Sequence, residues 1–462
     1  MAPLLIPLGV VGSSKLPLSP YWIAIYGSET NVSNPYGYEA PQGMSVDQSG
    51  NSYIAGYGYP DYGSSSDAVG LLAKQNPMGE LLLQKSFGIA SATESHLFGA
   101  DADSSENIYI HGRAGGRIGT SSAFWNYYFV AKLNQQSNSI SWQKQIGDGT
   151  EAGSYSGFHH NNNDIDQSGN FYTTVFKKEG SVSEYYITKF SSAGSVSWVK
   201  KLASTESGFF DKLKVDNSGN VFTGYYISPS GFSSDSKAMI AKLDSSGTLQ
   251  WAKKLSVTSA SQYTYLFGMS PDNSGGVSVV GYGYDNSNSE IYGFVTRLSS
   301  SGSTVWSRKI LNSIARDVSV GSDGSVYVYG DDRSPGSSKM FLMKFSSLGT
   351  LIWQRNISGL GASQISSVGV NSNDDIFISF GYFNSDFGSK TGMVTLKLPS
   401  DGSLTGTHGG VLTYSPSALS DSAISGSYAD VNVSSTSVSL PYSNSSLLLS
   451  DESIEFKRIN VR

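Results

Sequence analysis

Residues Lys214–Tyr225 read KVDNSGNVFTGY, and Ile240–Ser256 read IAKLDSSGTLQWAKKLS. In the first stretch a short alternating run enters Asp-Asn-Ser-Gly-Asn and leaves as an aromatic, β-branched run. Asp, Asn, Ser and Gly are what a tight turn demands, and the flanks read as strands. The second stretch holds two more short alternating strands around a Gly-containing turn. Together they specify a four-stranded antiparallel unit, with strands A to D in chain order.

This unit recurs along the chain. The A–B element reads SVDQSGNSYIAG at Ser45–Gly56, DADSSENIYIHG at Asp101–Gly112 and DIDQSGNFYTTV from Asp164. It returns as SPDNSGGVSVVG from Ser270, SVGSDGSVYVYG from Ser319 and GVNSNDDIFISF from Gly369, which with Lys214 makes seven copies. Taking Asp47, Asp103, Asp166, Asp216, Asp272, Gly321 and Asn371 as equivalent, the spacings run from 49 to 63 residues. Strand D carries Trp142, Trp198, Trp251, Trp306 and Trp353, with Leu83 in the first unit. Four strands per unit, repeated at roughly this period, is the signature of a β-propeller. No segment sustains a 3.6-residue period, which excludes helical repeats.

Strands A, B and C each occur seven times, but strand D only six times with a bulky apolar anchor. Tyr21–Gly27, YWIAIYG, supplies the seventh, since Trp22 stands in the context of Trp198 in SWVKKLA. The expected fold class is all-β: a seven-bladed β-propeller of four-stranded blades, closed by an N-terminal strand as the outermost strand of the last blade. Ser403–His408 competes for that slot, but Gly406 and the lack of an apolar anchor make it weaker. Residues 1–20 form an arm, 21–410 the propeller and 411–462 a short β-rich C-terminal extension that packs on the propeller or on another subunit.

In a four-stranded meander the A–B and C–D turns share one face and the B–C and D–A connections the other. All the tight turns fall on the first face and all the long loops on the second. Binding residues concentrate on long loops held by a rigid scaffold. The aromatics of that face are the candidate contacts: Tyr57, Tyr59 and Tyr62 in the first unit, Phe124, Trp125, Tyr127 and Tyr128 in the second, and Tyr282, Tyr284 and Tyr292 in the fifth. Tyr and Trp offer large contact area with a polar tip, which suits protein or sugar recognition, while packing between blades claims part of the set.

The totals narrow the chemistry. The 462 residues carry a net charge of −6, which disfavours nucleic-acid binding. With no Cys, disulfides, thiol catalysis and iron–sulfur clusters are excluded. The apolar run Leu4–Val11 is broken by Pro7 and makes a poor signal peptide, and no window is apolar enough for a membrane-spanning helix. His159 and His160, beside Asn161–Asn163, show no third ligand, so they read as a polar loop of the contact face rather than a metal site. The Asp-x-Ser-Gly turns offer too few carboxylates for calcium. GRAGGRIG at Gly112–Gly119 lacks the Lys-Ser/Thr ending of a phosphate loop. The acid pairs Asp331–Asp332 and Asp374–Asp375 carry no motif, and no nucleophile elbow, zincin or kinase motif appears. Neither cofactor nor metal is expected. The basic residues of strands C and D (Lys85, Lys144, Lys200, Lys253, Lys254, Arg308, Lys309 and Arg355) read as solvent-facing charges that block edge pairing.

The DQSGN and DNSGN turns, the aromatic strand after them and the AKLDSSGTLQWAKKL-type element resemble the seven-bladed β-propeller repeat proteins of bacteria and viruses. IPLGVVGSS near the start and the Ser-rich, strand-like tail are similar to virion proteins of marine tailed bacteriophages, including cyanophages. That resemblance implies a non-enzymatic structural and binding component of a phage tail, at its tip, nozzle or fibre attachment. It would be homo-oligomeric, attached to other tail proteins through its ends, and would contact a partner or a host-surface glycan or protein by its long-loop face. The alternative is a secreted or surface bacterial propeller that binds glycan or protein.

Overall fold

The computed structural model describes residues 21–27, 40–58, 68–89, 94–117, 124–146, 163–179, 182–204, 207–228, 236–257, 262–285, 289–359, 361–384, 390–408, 412–423, 426–430, 433–437, 442–443, 447–451 and 455–460. These form seven antiparallel sheets and no helix. Blade 1 uses Ala40–Val46, Ser52–Gly58, Val69–Gln75 and Leu81–Ile89 as strands A to D. Blade 2 uses Glu94–Ala102, Ile108–Arg117, Phe124–Asn134 and Ser139–Ile146. The same order continues through blade 5 (Gln262–Pro271, Val277–Asp285, Glu290–Leu298, Thr304–Leu311) and blade 6 (Ser313–Val320, Val326–Asp332, Met340–Phe345, Leu351–Ser358). Blade 7 takes its first three strands from Gly361–Val370, Ile376–Asn384 and Lys390–Leu398. Its fourth is Trp22–Gly27, paired antiparallel to Lys390–Leu398 with Trp22 opposite Lys397.

The closing strand is not the outermost one, which corrects the sequence expectation. Glu455–Asn460 pairs along its outer side, with Trp22 opposite Asn460. The same device recurs on every blade. Leu412–Pro416 adds to blade 6, Asp421–Ala423 to blade 5, Gly426–Asp430 to blade 4, Val433–Ser437 to blade 3, Tyr442–Ser443 to blade 2 and Leu447–Asp451 to blade 1. The C-terminal extension is a belt that runs around the ring against the order of the blades, advancing one blade every five to nine residues. Each belt strand is antiparallel to strand D, whose outward N–H and C=O groups would otherwise be an open edge. Ser403–His408 does not fill the closure slot; Gly406–His408 pairs with Leu412–Pro416 on blade 6.

Belt coverage removes the reason for edge charges, and the basic residues do other work. None of the eight is exposed, and Lys85 is buried. Arg308 Nε donates to Gly349 O at 2.7 Å and Arg355 Nε donates to Gly402 O at 2.7 Å, each reaching the next blade. These two arginines are bridges between blades.

Two sequence features build each blade. The turn aspartates accept backbone bonds: Asp216 Oδ1 takes the N–H of Ser218 and Asn220, both at 2.9 Å, as the reading of a structural turn requires. In strand A of blades 2, 5 and 6 a bulge skips Phe98, Phe267 and Arg316. The strand-B glycine opposite the bulge makes room for it. A Cβ on Gly281 would lie 1.9 Å from Tyr265 O, and one on Gly330 would lie 2.1 Å from Ile314 O. Such bulges re-aim side chains, and two of these three meet at the candidate site. Gly112, read within a glycine-rich run, lies in strand B of blade 2 rather than in a phosphate-type loop.

Adjoining blades are fastened by one repeated joint. The strand-D indole donates its N–H to a carbonyl in the C–D turn of the next blade: Trp22 to Pro77 at 3.1 Å, Trp142 to Ser192 at 3.1 Å, Trp198 to Ser245 at 3.2 Å, Trp251 to Ser300 at 2.9 Å, Trp306 to Ser347 at 3.0 Å and Trp353 to Ser400 at 3.1 Å. A glycine in the same turn, at positive φ, gives the ring its seat. At Gly349 (φ 80°) an added Cβ would lie 2.6 Å from Trp306 Cδ2.

Candidate functional site

The loop-bearing face of blades 5 and 6 brings together the clearest cluster of recognition chemistry among the described residues. Strand A of blade 5 alternates Tyr263, Tyr265 and Phe267, and strand B places Tyr284 and Tyr282 directly opposite the two tyrosines. Residues at alternate positions share a face, so the five rings form one wall. Tyr263 stacks on Tyr284 at 5.4 Å between ring centres, Tyr265 on Tyr282 at 5.2 Å and Phe267 on Tyr282 at 5.3 Å. All five are half-buried, so the wall keeps an open surface.

The opposing side belongs to blade 6. The bulge at Arg316 sends its guanidinium over the Phe267 ring at 5.1 Å. The same guanidinium donates through Nε and Nη2 to Asp331 Oδ2, at 3.0 and 2.7 Å. Arg333 Nη2 donates to that oxygen at 2.9 Å and is the most exposed of the three. Burial pushes the Tyr282 phenol up to about 12, with Tyr265 and Tyr263 adding to the rise and Arg316 opposing it. The Tyr282 phenol therefore stays a neutral hydrogen-bond donor at any physiological pH. The arrangement can stack a flat or ring-shaped ligand on tyrosine and bond its polar edge to two guanidiniums and a carboxylate.

The residues singled out from sequence divide. Tyr282 and Tyr284 are in this wall. Tyr57 is half-buried and stacks on His96 of blade 2, with ring centres 4.0 Å apart. Tyr128 and Tyr292 are buried, so these two pack rather than bind. Lys309 covers the Tyr292 ring at 4.7 Å and pairs with Glu290. Phe124, Trp125 and Tyr127 lie on strand C of blade 2, where only the backbone is described. Tyr59, Tyr62, His159 and His160 lie outside the described residues. Trp22 is the blade-closing residue and is fully buried.

Sequence reasoning missed Tyr263, Tyr265, Phe267, Arg316, Asp331 and Arg333 as a set. The Tyr-x-Tyr-x-Phe alternation facing Tyr282 and Tyr284 was a readable signal. Arg316 was not, because its direction comes from a bulge. The acid pairs are structural in part: Asp375 pairs with Lys397 at 3.0 Å, and Asp374 accepts Ser322 N of blade 6 at 2.8 Å.

A second polar group lines the innermost strands. Ser45 Oγ donates to Ala100 O at 2.7 Å, Asp164 Oδ2 accepts Val215 N at 2.7 Å, Ser270 Oγ accepts Val320 N at 3.1 Å, and Asp317 Oδ2 accepts Val368 N at 3.0 Å. Each of these bonds joins one blade to the next. Asn163 donates to Asp101 in the same manner. Burial pushes the Asp101 carboxyl up to about 7 and raises Asp164 and Asp317. Burial also pulls Lys214 down, but Asp164, Asp101 and Asp317 together outweigh it and hold its ammonium above the ordinary value. These acids are arranged as inter-blade ties around a lysine. Among the described residues no group of three or more His, Asp or Glu could hold a metal ion.

No protein-family model matches the chain. No curated protein matches it either. Solved structures do resemble it. One is a protein of unknown function from Dyadobacter fermentans, 11% identical, with 81% of this chain and 98% of that chain covered and a TM-score of 0.42. Another is the NanB sialidase of Streptococcus pneumoniae, at 10% identity, 81% and 70% coverage and a TM-score of 0.40. An α-L-arabinofuranosidase of Fusarium graminearum follows at 8% identity, 82% and 98% coverage and a TM-score of 0.39. At these values no activity is carried over to this chain.

Proposed function

We propose that the protein is a non-catalytic structural and binding component of a bacteriophage virion, part of its tail, with the loop-bearing face of blades 5 and 6 as the contact surface. The observation that carries the binding role is the tyrosine wall facing the Arg316–Asp331–Arg333 cluster. Half-buried rings beside charge-assisted donors fit the apolar faces and hydroxyl edges of host-surface carbohydrate. The non-catalytic part of the reading is supported by the inner acids, which are engaged in hydrogen bonds between blades. The virion setting is supported by the sequence resemblance of the two ends. The C-terminal end serves its own ring, so attachment to other tail proteins falls to other surfaces.

A glycan array probed with the full chain tests the contact surface. Binding that drops about tenfold or more in Tyr263→Ala and Arg333→Ala, with thermal stability held, is the expected result. Unchanged binding in both variants overturns the site. Mass spectrometry of purified phage particles tests the setting. Recovery of the chain from a bacterial envelope or culture medium instead favours a surface propeller using the same face.

A further inference from the structure

Six of the seven blade junctions hold an indole, and among the described residues the seventh holds an empty place for one. At the junction of blades 1 and 2, strand D offers Leu83 where the others offer tryptophan. The C–D turn it faces has Asn138 (φ 50°) where the other six turns have glycine at positive φ. A cavity of about 130 Å³ remains on this turn face, lined by Lys74, Leu82, Leu83, Ile108, Leu133 and Asn138 among others. Its lining is mixed, with Asn134, Gln135, Asn138 and Lys74 beside the four apolar side chains.

Gln135 follows Lys132 at the same spacing as Ser192 follows Lys189, in a turn one residue longer. Lys74 differs from its counterparts. Lys242 and Lys397 reach carbonyls of the next blade, at Gly275 and Pro77, whereas Lys74 reaches side chains there, donating to Glu106 at 2.6 Å and to Gln135 Oε1 at 2.7 Å. Its ammonium, nearly fully buried, is fixed at the wall of the cavity, where it can attract a ring face. Leu82, 53% exposed, forms an apolar lip.

We propose that this junction is a socket for a tryptophan side chain brought by a partner protein. The molecule shows six times over which group such a seat accepts and how its N–H is bonded. The chain has no tryptophan left over for the seat. Its seven tryptophans are the six joint residues and Trp125, and Trp125 lies opposite Gly116 at the loop-face end of a strand whose turn-face end is Asn134.

The test is a titration of the full chain with N-acetyl-L-tryptophanamide at millimolar concentrations, followed through the methyl NMR signals of Leu83, Ile108 and Leu133. Saturable shifts at these methyls are expected, and N-acetyl-leucinamide should leave them in place. Leu83→Trp fills the seat from within and should weaken binding about tenfold or more while raising Tm. Leu83→Phe serves the same purpose if the larger ring does not fold in. Absent shifts, equal response to the leucine amide, or undiminished binding in the filled variant overturns the proposal.

Discussion

Blade 6 passes Trp353 to the turn of blade 7, and blade 1 passes Leu83 to the turn of blade 2. At the first joint the indole bonds to Ser400 O, and Gly402 lies so close beneath it that a Cβ would sit 2.8 Å from Cδ2. At the second joint the ring is gone, Asn138 stands in the turn, and Lys74 spans the gap to Glu106 and Gln135. Glu106 itself, at φ 60°, replaces the glycine that most A–B turns use. Three departures from the repeat thus fall on one joint. The lesson is that the indole and the turn glycine are one complementary unit. Where the indole is lost, the space under it no longer demands glycine.

Removing indoles should be the most costly way to erase the difference. Trp22 is fully buried, so Trp22→Ala should cost about 3–5 kcal/mol. Leu83→Ala, at a half-buried residue beside an existing cavity, should cost about 1–2 kcal/mol. Calorimetric unfolding of both variants checks the ordering, and equal losses would break the comparison.

Acid should act on the same joint from its other face, where His96 stacks on Tyr57. Burial pulls the His96 imidazole down to about 3, and Arg113 adds to the effect. The unfolded chain binds a proton near pH 6.5 that the folded chain refuses until about 3, so stability present above the unfolded value is lost as pH falls through that window. Relative to His96→Phe, the natural chain should lose about 1.4 kcal/mol per pH unit below 6.5. Parallel stability–pH curves for the two proteins would contradict a neutral His96.

Smaller effects separate the turns. Gly349→Ala places a Cβ against Trp306 at positive φ and should cost about 1–3 kcal/mol. Asn138→Gly meets no indole and should stay within about 0.5 kcal/mol, because Asn tolerates this backbone. Urea titrations of the two variants read the contrast.

The ring was legible because seven copies of the same turn chemistry cannot mean much else, and Trp22 was legible because its neighbours copy those of Trp198. The belt was not. Its strands are two to six residues long and Ser-rich, and each pairs with a segment from a different blade, so no local pattern announces the partner. The contact surface was half legible for the same reason. Tyr282 and Tyr284 lie on one blade and show in its alternation, while Arg316 and Asp331 come from the next blade. Tyr128 and Tyr292 look identical to surface tyrosines in sequence, and only the packing of neighbouring strands buries them.

A double-mutant cycle on the exceptional joint tests the central claim most directly. If indole and glycine are one unit, Leu83→Trp alone should be partly opposed by Asn138, and Asn138→Gly should become stabilising once the indole is present. The account predicts a favourable coupling of about 1 kcal/mol or more between Leu83→Trp and Asn138→Gly. Additivity within about 0.5 kcal/mol would contradict it.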